Sequence, residues 1–202
     1  TGSDRNWCGH IGNQANWYSF GRLSWDPSLA TTVIADEWIK MTLTHQPTAI
    51  SMINDLMMKS HEACVDYMTP LGLHHIMGTG HHYGPAPWVS NLNRPEWNPV
   101  YYHKADSMGI GFNRTASGSN AISQYQPEAR KAWEHLNTCD EKYLLWFHHV
   151  SWNQKLSSGN SLWNELCKRY YNGADSVKWM IREWSQQEKR VDAQRFKAVS
   201  ML

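Results

Sequence analysis

Between Pro70 and Tyr125 the sequence loses every periodicity that would make it a helix or a strand. Gly78, Gly80, Gly84, Pro85, Pro87, Pro95, Pro99, Gly109, Gly111 and Gly118 punctuate it, with histidines and aromatics between them. Glycine and proline at this density break both helical and alternating patterns. A stretch of roughly 55 irregular residues inside a compact chain is unusual, and such segments tend to carry function. The two flanks obey a different rule. Ala15, Tyr18 and Leu23 share one face of an expected helix from Asn13, which Asp26-Pro27 ends. Thr31 or Thr32 is placed to cap a second helix through Ile34, Trp38 and Met41. Pro47 suits the first turn of a long third helix whose stripe of Ala49, Ile53, Leu56, Met57, Cys64 and Met68 stops before Pro70.

After Pro127 helices are expected again at 127–137, 140–149 and 161–171, with Gly173 as a C-cap. A terminal helix from Asp175 should bend or break near 186–190, where Glu188 interrupts its apolar stripe. The reading is an all-α chain around one large aromatic loop region.

Bulk properties exclude several functions. With 19 Lys+Arg against 18 Asp+Glu the formal net charge is +1, so no electrostatic footprint points to nucleic acid. No apolar run approaches the roughly 20 residues of a membrane span. Cys8, Cys64, Cys139 and Cys167 form no CxxC pair, and their count alone allows free thiols or two disulfides. Adjacent histidines recur at His74-His75, His81-His82 and His148-His149 without any ligand spacing, so no metal or cofactor is expected. A histidine-rich metal protein is the weakest of the alternatives. Gly109-Ile110-Gly111 lacks the rest of a phosphate-binding fingerprint and reads as a turn. Asp4, Glu96 and Asp106, in loops, are the carboxylates to consider for acid–base work, though spacing pairs none of them. The opening Thr1–Trp7, with no initiator Met or signal peptide, reads as a loop that leaves a preceding part of a longer protein.

Four long strings carry a resemblance: SDRNWCGHIGNQANWYSFGRLSWDP (3–27), GHHYGPAPW (80–88), WNPVYYHKADSMGIGFNRTASGSNAISQY (97–125) and LLWFHHVSWNQKLSSGNSLWNELCKRY (144–170). Together, and in order, they resemble the C-terminal part of the family 67 glycoside hydrolases, the α-glucuronidases. The resemblance implies an enzyme with an N-terminal mixed β domain, a central (β/α)₈ barrel and a mainly helical C-terminal region that takes part in dimerisation. It implies hydrolysis, with inversion, of the α-1,2 bond joining 4-O-methylglucuronic acid to xylose in xylo-oligosaccharides. The acid and base carboxylates of such a reaction would come from the barrel, so no catalytic residue is assigned to this chain.

Residues 1–25 then correspond to the last βα loop and helix of the barrel, and 26–202 to the helical domain. The final βα loop lies on the active-site face of such barrels. Asp4, Arg5, Asn6, Trp7 and His10 are therefore candidates for substrate contact, with Trp7 to stack on a sugar and Arg5 to fork onto the uronate carboxylate. Tyr83, Trp88 and Arg114 are candidates from the long loop region. The expected partners are the glucuronosyl xylo-oligosaccharide and a second copy of the chain, with no nucleic acid and no membrane. Asn113 stands where the family usually has Asp, and an Asp there would assist Arg114 by charge; 9–13 also lacks the family's usual aromatic. A non-enzymatic helical module that binds carbohydrate or mediates assembly is the rival expectation.

Overall fold

In the computed structural model the chain is mainly helical, and residues 8–74, 76, 78 and 86–200 are described. The chain divides into two compact units, residues 1–63 with 174–202 and residues 64–173.

The first unit is a helical assembly. Helices α1 (Ile11–Trp25), α2 (Thr31–Thr42) and most of α3 (Pro47–Met68) are joined by short turns, and α3 has the bounds that Pro47 and the apolar stripe imply. Ile11, Ala15, Trp38, Ile39, Leu43, Ile50, Ile53, Trp184 and Val191 make one core. An ion pair ties α1 to α2: Arg22 donates to both carboxylate oxygens of Glu37 at 2.8 and 3.0 Å, and the Tyr18 hydroxyl donates to the same group at 2.9 Å. α2 starts without the threonine cap expected from the sequence. Its N-cap is Ala30, with no side-chain bond, and Thr31 already lies inside the helix.

Helix α6 (Leu162–Ser185) also differs from expectation: it runs through Gly173 rather than ending there. Gly173 is buried. A glycine inside a helix costs roughly 1 kcal/mol relative to alanine, and α6 continues through it all the same. The expected break does occur. α6 stops at Ser185 and α7 (Ala193–Ser200) begins after a turn, returning Phe196 to stack on Trp184 with ring centroids 5.5 Å apart. Trp184 Nε1 donates to Ser200 Oγ at 3.1 Å.

The second unit departs most from an all-α reading. It holds a three-stranded antiparallel sheet of β1 (Lys104–Ala105), β2 (Gly109–Gly111) and β3 (His149–Ser151), in that order. The Gly-Ile-Gly read as a turn is the central strand. A Cβ on Gly109 would lie 1.9 Å from the Val150 carbonyl oxygen, and one on Gly111 would lie 2.1 Å from that of His148. Gly111 also has φ +111°. The pair of glycines is there to let two backbones approach.

Ile110, between them, joins Leu71, Leu73, Leu144, Leu145, Val150 and Leu162 in a core. Ile122, Cys139 and Phe147 form another, flanked by Tyr125, Trp133 and Trp146. The helix expected at 140–149 is a 3₁₀ turn at Glu141–Tyr143, a single α turn, α5 (Leu144–Phe147), and then β3. The helix expected at 127–137 is the shorter α4 (Pro127–Trp133). Within 70–125 the strands and short 3₁₀ turns at Pro95–Trp97, Pro99–Tyr101 and Ala121–Gln124 supply local order.

Candidate functional site

The sequence candidates divide sharply by burial. Asp4, Arg5, Asn6, Trp7 and Tyr83 lie outside the described residues. His10 is the N-cap of α1. Its Nδ1 accepts from Gly12 N at 2.9 Å, and its Nε2 stands 3.4 Å from the Ala198 carbonyl of α7. Trp88 is 73% exposed in a turn that follows Ala86.

Arg114 is the reverse case, with 8% of its surface accessible. Its guanidinium lies 3.8 Å from the Trp146 ring centroid and 4.8 Å from that of Phe112. It donates to the Tyr102 carbonyl at 2.6 Å and to the Trp146 carbonyl. Burial lowers its pKa to about 10. Backbone dipoles and two aromatic faces carry the charge here, and no carboxylate takes part in these contacts. Asn113 is not aimed at it. Its Oδ1 accepts from Thr115 N at 3.1 Å and Thr115 Oγ1 at 2.7 Å, while Nδ2 donates to Ser117 Oγ at 3.1 Å.

The histidine pairs also separate. His148 is buried, with Nε2 3.0 Å from the Trp133 carbonyl, and burial lowers its pKa. The next residue, His149, enters β3 and turns its Nε2 toward Asp106 Oδ2 at 3.4 Å. Successive residues of extended chain face opposite ways, so the two rings cannot share a ligand. No group of three or more His, Cys, Asp or Glu side chains is arranged to hold a metal ion among the described residues. All four cysteines are free thiols.

The carboxylates bear directly on chemistry. An acid that protonates a glycosidic oxygen must hold its proton near neutral pH, which needs a raised pKa. Among the described residues the shifted carboxyl groups move the other way: Asp26, Asp36, Glu37, Asp106, Asp140, Glu165 and Asp192 are lowered. Each has structural partners. Asp106 Oδ1 accepts from the backbone of Met108 at 2.9 Å and Gly109 at 3.1 Å, the main reason it is lowered. Glu96 sits 3.9 Å from Arg94. Glu165 is 3% exposed and accepts from Ser158, Asn160 and Arg169; Arg169 also reaches Asp66 at 3.2 Å. These groups brace turns and helix ends.

In the first unit an open cleft of about 670 Å³ is lined by residues including Thr32, Asp36, Lys40, His45, Ser51 and Asn54. None of the sequence candidates lines it. Asp36 there is held by Lys40 at 2.9 Å and Asn54 at 3.0 Å and stays ionised.

Sequence reasoning missed an ordered aromatic surface at residues 92–101. Asn98, 4% exposed, accepts from Leu92 N at 2.9 Å and donates to the carbonyls of Arg94 and Pro95 at 3.2 Å. Around this amide Trp97 remains 50% and Tyr101 53% exposed. The available signal was an Asn set between two prolines that each begin a tight turn, Pro95 and Pro99.

Comparison with known proteins gives this arrangement its context. Over 200 residues the chain is 30% identical to the probable alpha-glucuronidase A of Aspergillus fumigatus. It is 31% identical over 203 residues to alpha-glucuronidase A of Emericella nidulans, and 30% over 200 residues to that of Aspergillus tubingensis. Each alignment covers 98% of this chain and 23% of the relative, so the chain spans about a quarter of the length of these proteins. Residues 8–202 match the C-terminus of glycosyl hydrolase family 67, and the chain belongs to that family.

Proposed function

We propose that this chain is the C-terminal part of an α-glucuronidase that hydrolyses the α-1,2 bond between 4-O-methylglucuronic acid and xylose in xylo-oligosaccharides, with inversion, during xylan breakdown. The observation that carries the reading is the match to proteins named alpha-glucuronidase along 98% of the chain. It weighs against a non-enzymatic module. An inverting reaction needs a carboxylic acid on one face of the sugar and a carboxylate base on the other. The lowered carboxyl groups here, each tied to a brace, fit a supporting part whose acid and base stand in a catalytic barrel supplied by the rest of the protein.

In this reading residues 1–25 complete the barrel and 26–202 form the helical domain. Trp17, Phe20 and Trp25 of α1 are 57, 66 and 86% exposed, as suits a helix that meets further protein. The loop before α1 brings Asp4, Arg5, Asn6 and Trp7 toward the uronate and its xylose, with Trp88 and Tyr83 as further contacts. Two copies pair through the helical domain, where Trp163, Tyr170 and Tyr171 are exposed.

The test compares this chain with the same chain joined to a family 67 barrel region, on aldouronic acids, with proton magnetic resonance of the first product. The joined protein should release the β anomer of the uronic acid, and the chain alone should release none. Turnover by the chain alone, free of contaminating enzyme, would overturn the supporting role. Release of the α anomer first would overturn inversion.

A further inference from the structure

We propose that residues 92–101 are a second carbohydrate contact, a preset aromatic shelf that holds the uncharged β-1,4-linked xylose chain, with Trp97 as the stacking residue and Tyr101 beside it. The proposal rests on the xylan reading for its substrate class, and on the shelf's own construction for its place.

Construction comes first. Pro95 and Pro99 each open a 3₁₀ turn, which fixes φ at two points of a short segment. Asn98 lies between them with its amide buried and bonded to the backbone at Leu92, Arg94 and Pro95. Backbone bonds from Trp97 N to the Arg94 carbonyl and from Tyr101 N to the Asn98 carbonyl, both 3.0 Å, close the two turns. The fold therefore spends a buried amide and two prolines to order a surface loop. Ordering a loop before it binds removes an entropic cost that the ligand would otherwise meet.

What the ordered loop presents is aromatic area. Trp97 keeps half its surface in solvent, and Tyr101 slightly more. Elsewhere in this unit rings pack on one another: Trp133 stacks on Phe147 at 4.7 Å, and Tyr125 meets both edge-on. Trp88 and Trp163 are exposed as well, so what sets Trp97 apart is the pair of proline-initiated turns that orders its segment. The Arg94 guanidinium lies over the Trp97 ring, 5.1 Å from its centroid, and reaches Glu96 at 3.9 Å.

That arrangement selects the ligand. The one cation and one anion of the segment offset each other, so the shelf offers a rigid ring without net charge. A free carboxylate would have to compete with Glu96 for Arg94. An unsubstituted xylopyranose needs no counter-charge; it has an apolar C–H face to set against an aromatic ring and hydroxyls at its rim. The shelf thus suits the undecorated stretch of the polysaccharide rather than the uronic acid itself.

The experiment uses the 202-residue chain and three variants, Trp97→Ala, Trp97→Tyr and Tyr101→Ala. Binding is read by retardation in gels containing linear xylan and by calorimetric titration with xylohexaose. An acidic aldouronic oligosaccharide and a mannan serve as separate arms, and melting is followed on the same samples. Retardation by xylan but not mannan is expected, with association weakened at least fivefold in Trp97→Ala and kept within about twofold in Trp97→Tyr. Tyr101→Ala should weaken it by a smaller factor, and it decides the matter should Trp97→Ala lose its fold. Unretarded parent chain, equal binding by the parent and Trp97→Ala, or binding of the acidic sugar alone would overturn the shelf. So would dispersal of an oligomer by Trp97→Ala without any xylan retardation, which makes the surface a protein contact. Hydrolysis by the joined protein does not enter this readout, so a failed shelf leaves the α-glucuronidase reading standing, and the reverse.

Discussion

Replacing Arg114 by methionine keeps most of the apolar length of the side chain and removes its charge. The structure sets the size of the effect. Burial lowers the guanidinium pKa from 12.5 to about 10, a penalty on the charged form of about 3 kcal/mol at 1.36 kcal/mol per unit. Against it stand two charge-assisted bonds to the Tyr102 and Trp146 carbonyls, about 1.5–3 kcal/mol each. The contact with the Trp146 ring at 3.8 Å adds about 2 kcal/mol where it is desolvated. Methionine recovers the penalty, loses the rest and leaves two carbonyls short of a donor. The net loss is about 2–5 kcal/mol. Lysine at 114 should cost less, about 1–3 kcal/mol, because one ammonium keeps the charge but cannot fork between two carbonyls. Urea unfolding of the chain, followed by far-UV dichroism, reads both. If Arg114→Met unfolds at the parent's urea midpoint while the joined enzyme loses affinity for its uronate substrate, Arg114 serves the ligand and the structural account is wrong.

Two further outcomes follow from the second unit. Glu165 is pushed up by burial but pulled down further by its bonds to Asn160, Ser158 and Arg169, so its folded pKa is below that of the unfolded chain. Its stabilising contribution is therefore full above the usual glutamate range near pH 4.3 and fades as pH falls through the lower folded value. Glu165→Gln should cost about 1–3 kcal/mol at pH 7 and flatten the acid limb of a stability-against-pH curve, and an unchanged limb refutes it. Asn113→Asp should shift stability by no more than about 0.5 kcal/mol, since the Asn side chain serves Thr115 and Ser117 rather than Arg114. A large gain, abolished in an Arg114→Met background by a double-mutant cycle, would show that the two do couple.

Legibility in the sequence followed the length of each pattern. α3 could be bounded because Pro47 marks its start and an apolar stripe leads to the proline beyond its end. The stripe's far end was misplaced: Ala63 is buried there and Cys64 is exposed. The sheet was invisible because its strands are two or three residues long, too short for a period of two to register. Its trace in the sequence was Gly109 and Gly111 on one face of the strand, a pattern equally compatible with a turn. Gly173 misled for a related reason. A glycine that ends a helix and one that a long helix tolerates in its interior look identical in sequence. Arg114 and Trp97 both stood in strings that carry the family resemblance, but only tertiary packing decides that one is sealed against Trp146 and the other keeps half its surface exposed. Five of the described tryptophans, Trp17, Trp25, Trp88, Trp97 and Trp163, are exposed. The general preference of large aromatics for the interior therefore gave no guide to individual positions.

Helix α1 joins the fold to the proposed function. One side of it is committed: Ile11 and Ala15 are in the core, and Tyr18 and Arg22 are bonded to Glu37 of α2. That commitment fixes the helix's rotation, and the rotation in turn presents Trp17, Phe20 and Trp25 within an arc of about 140° at 100° per residue. Gly21 lies in the same arc, with nothing within 4 Å of the Cβ it lacks. Burying a fully exposed large apolar side chain yields about 1.5–3 kcal/mol. Trp17, Phe20 and Trp25 are 57, 66 and 86% exposed, so covering them would contribute about 3–6 kcal/mol. That is a large share of the stability of an ordinary domain. A helix held in place by polar bonds on one side, with aromatics and a flat glycine on the other, is suited to join this unit to a larger body. In the proposed enzyme that body is the barrel.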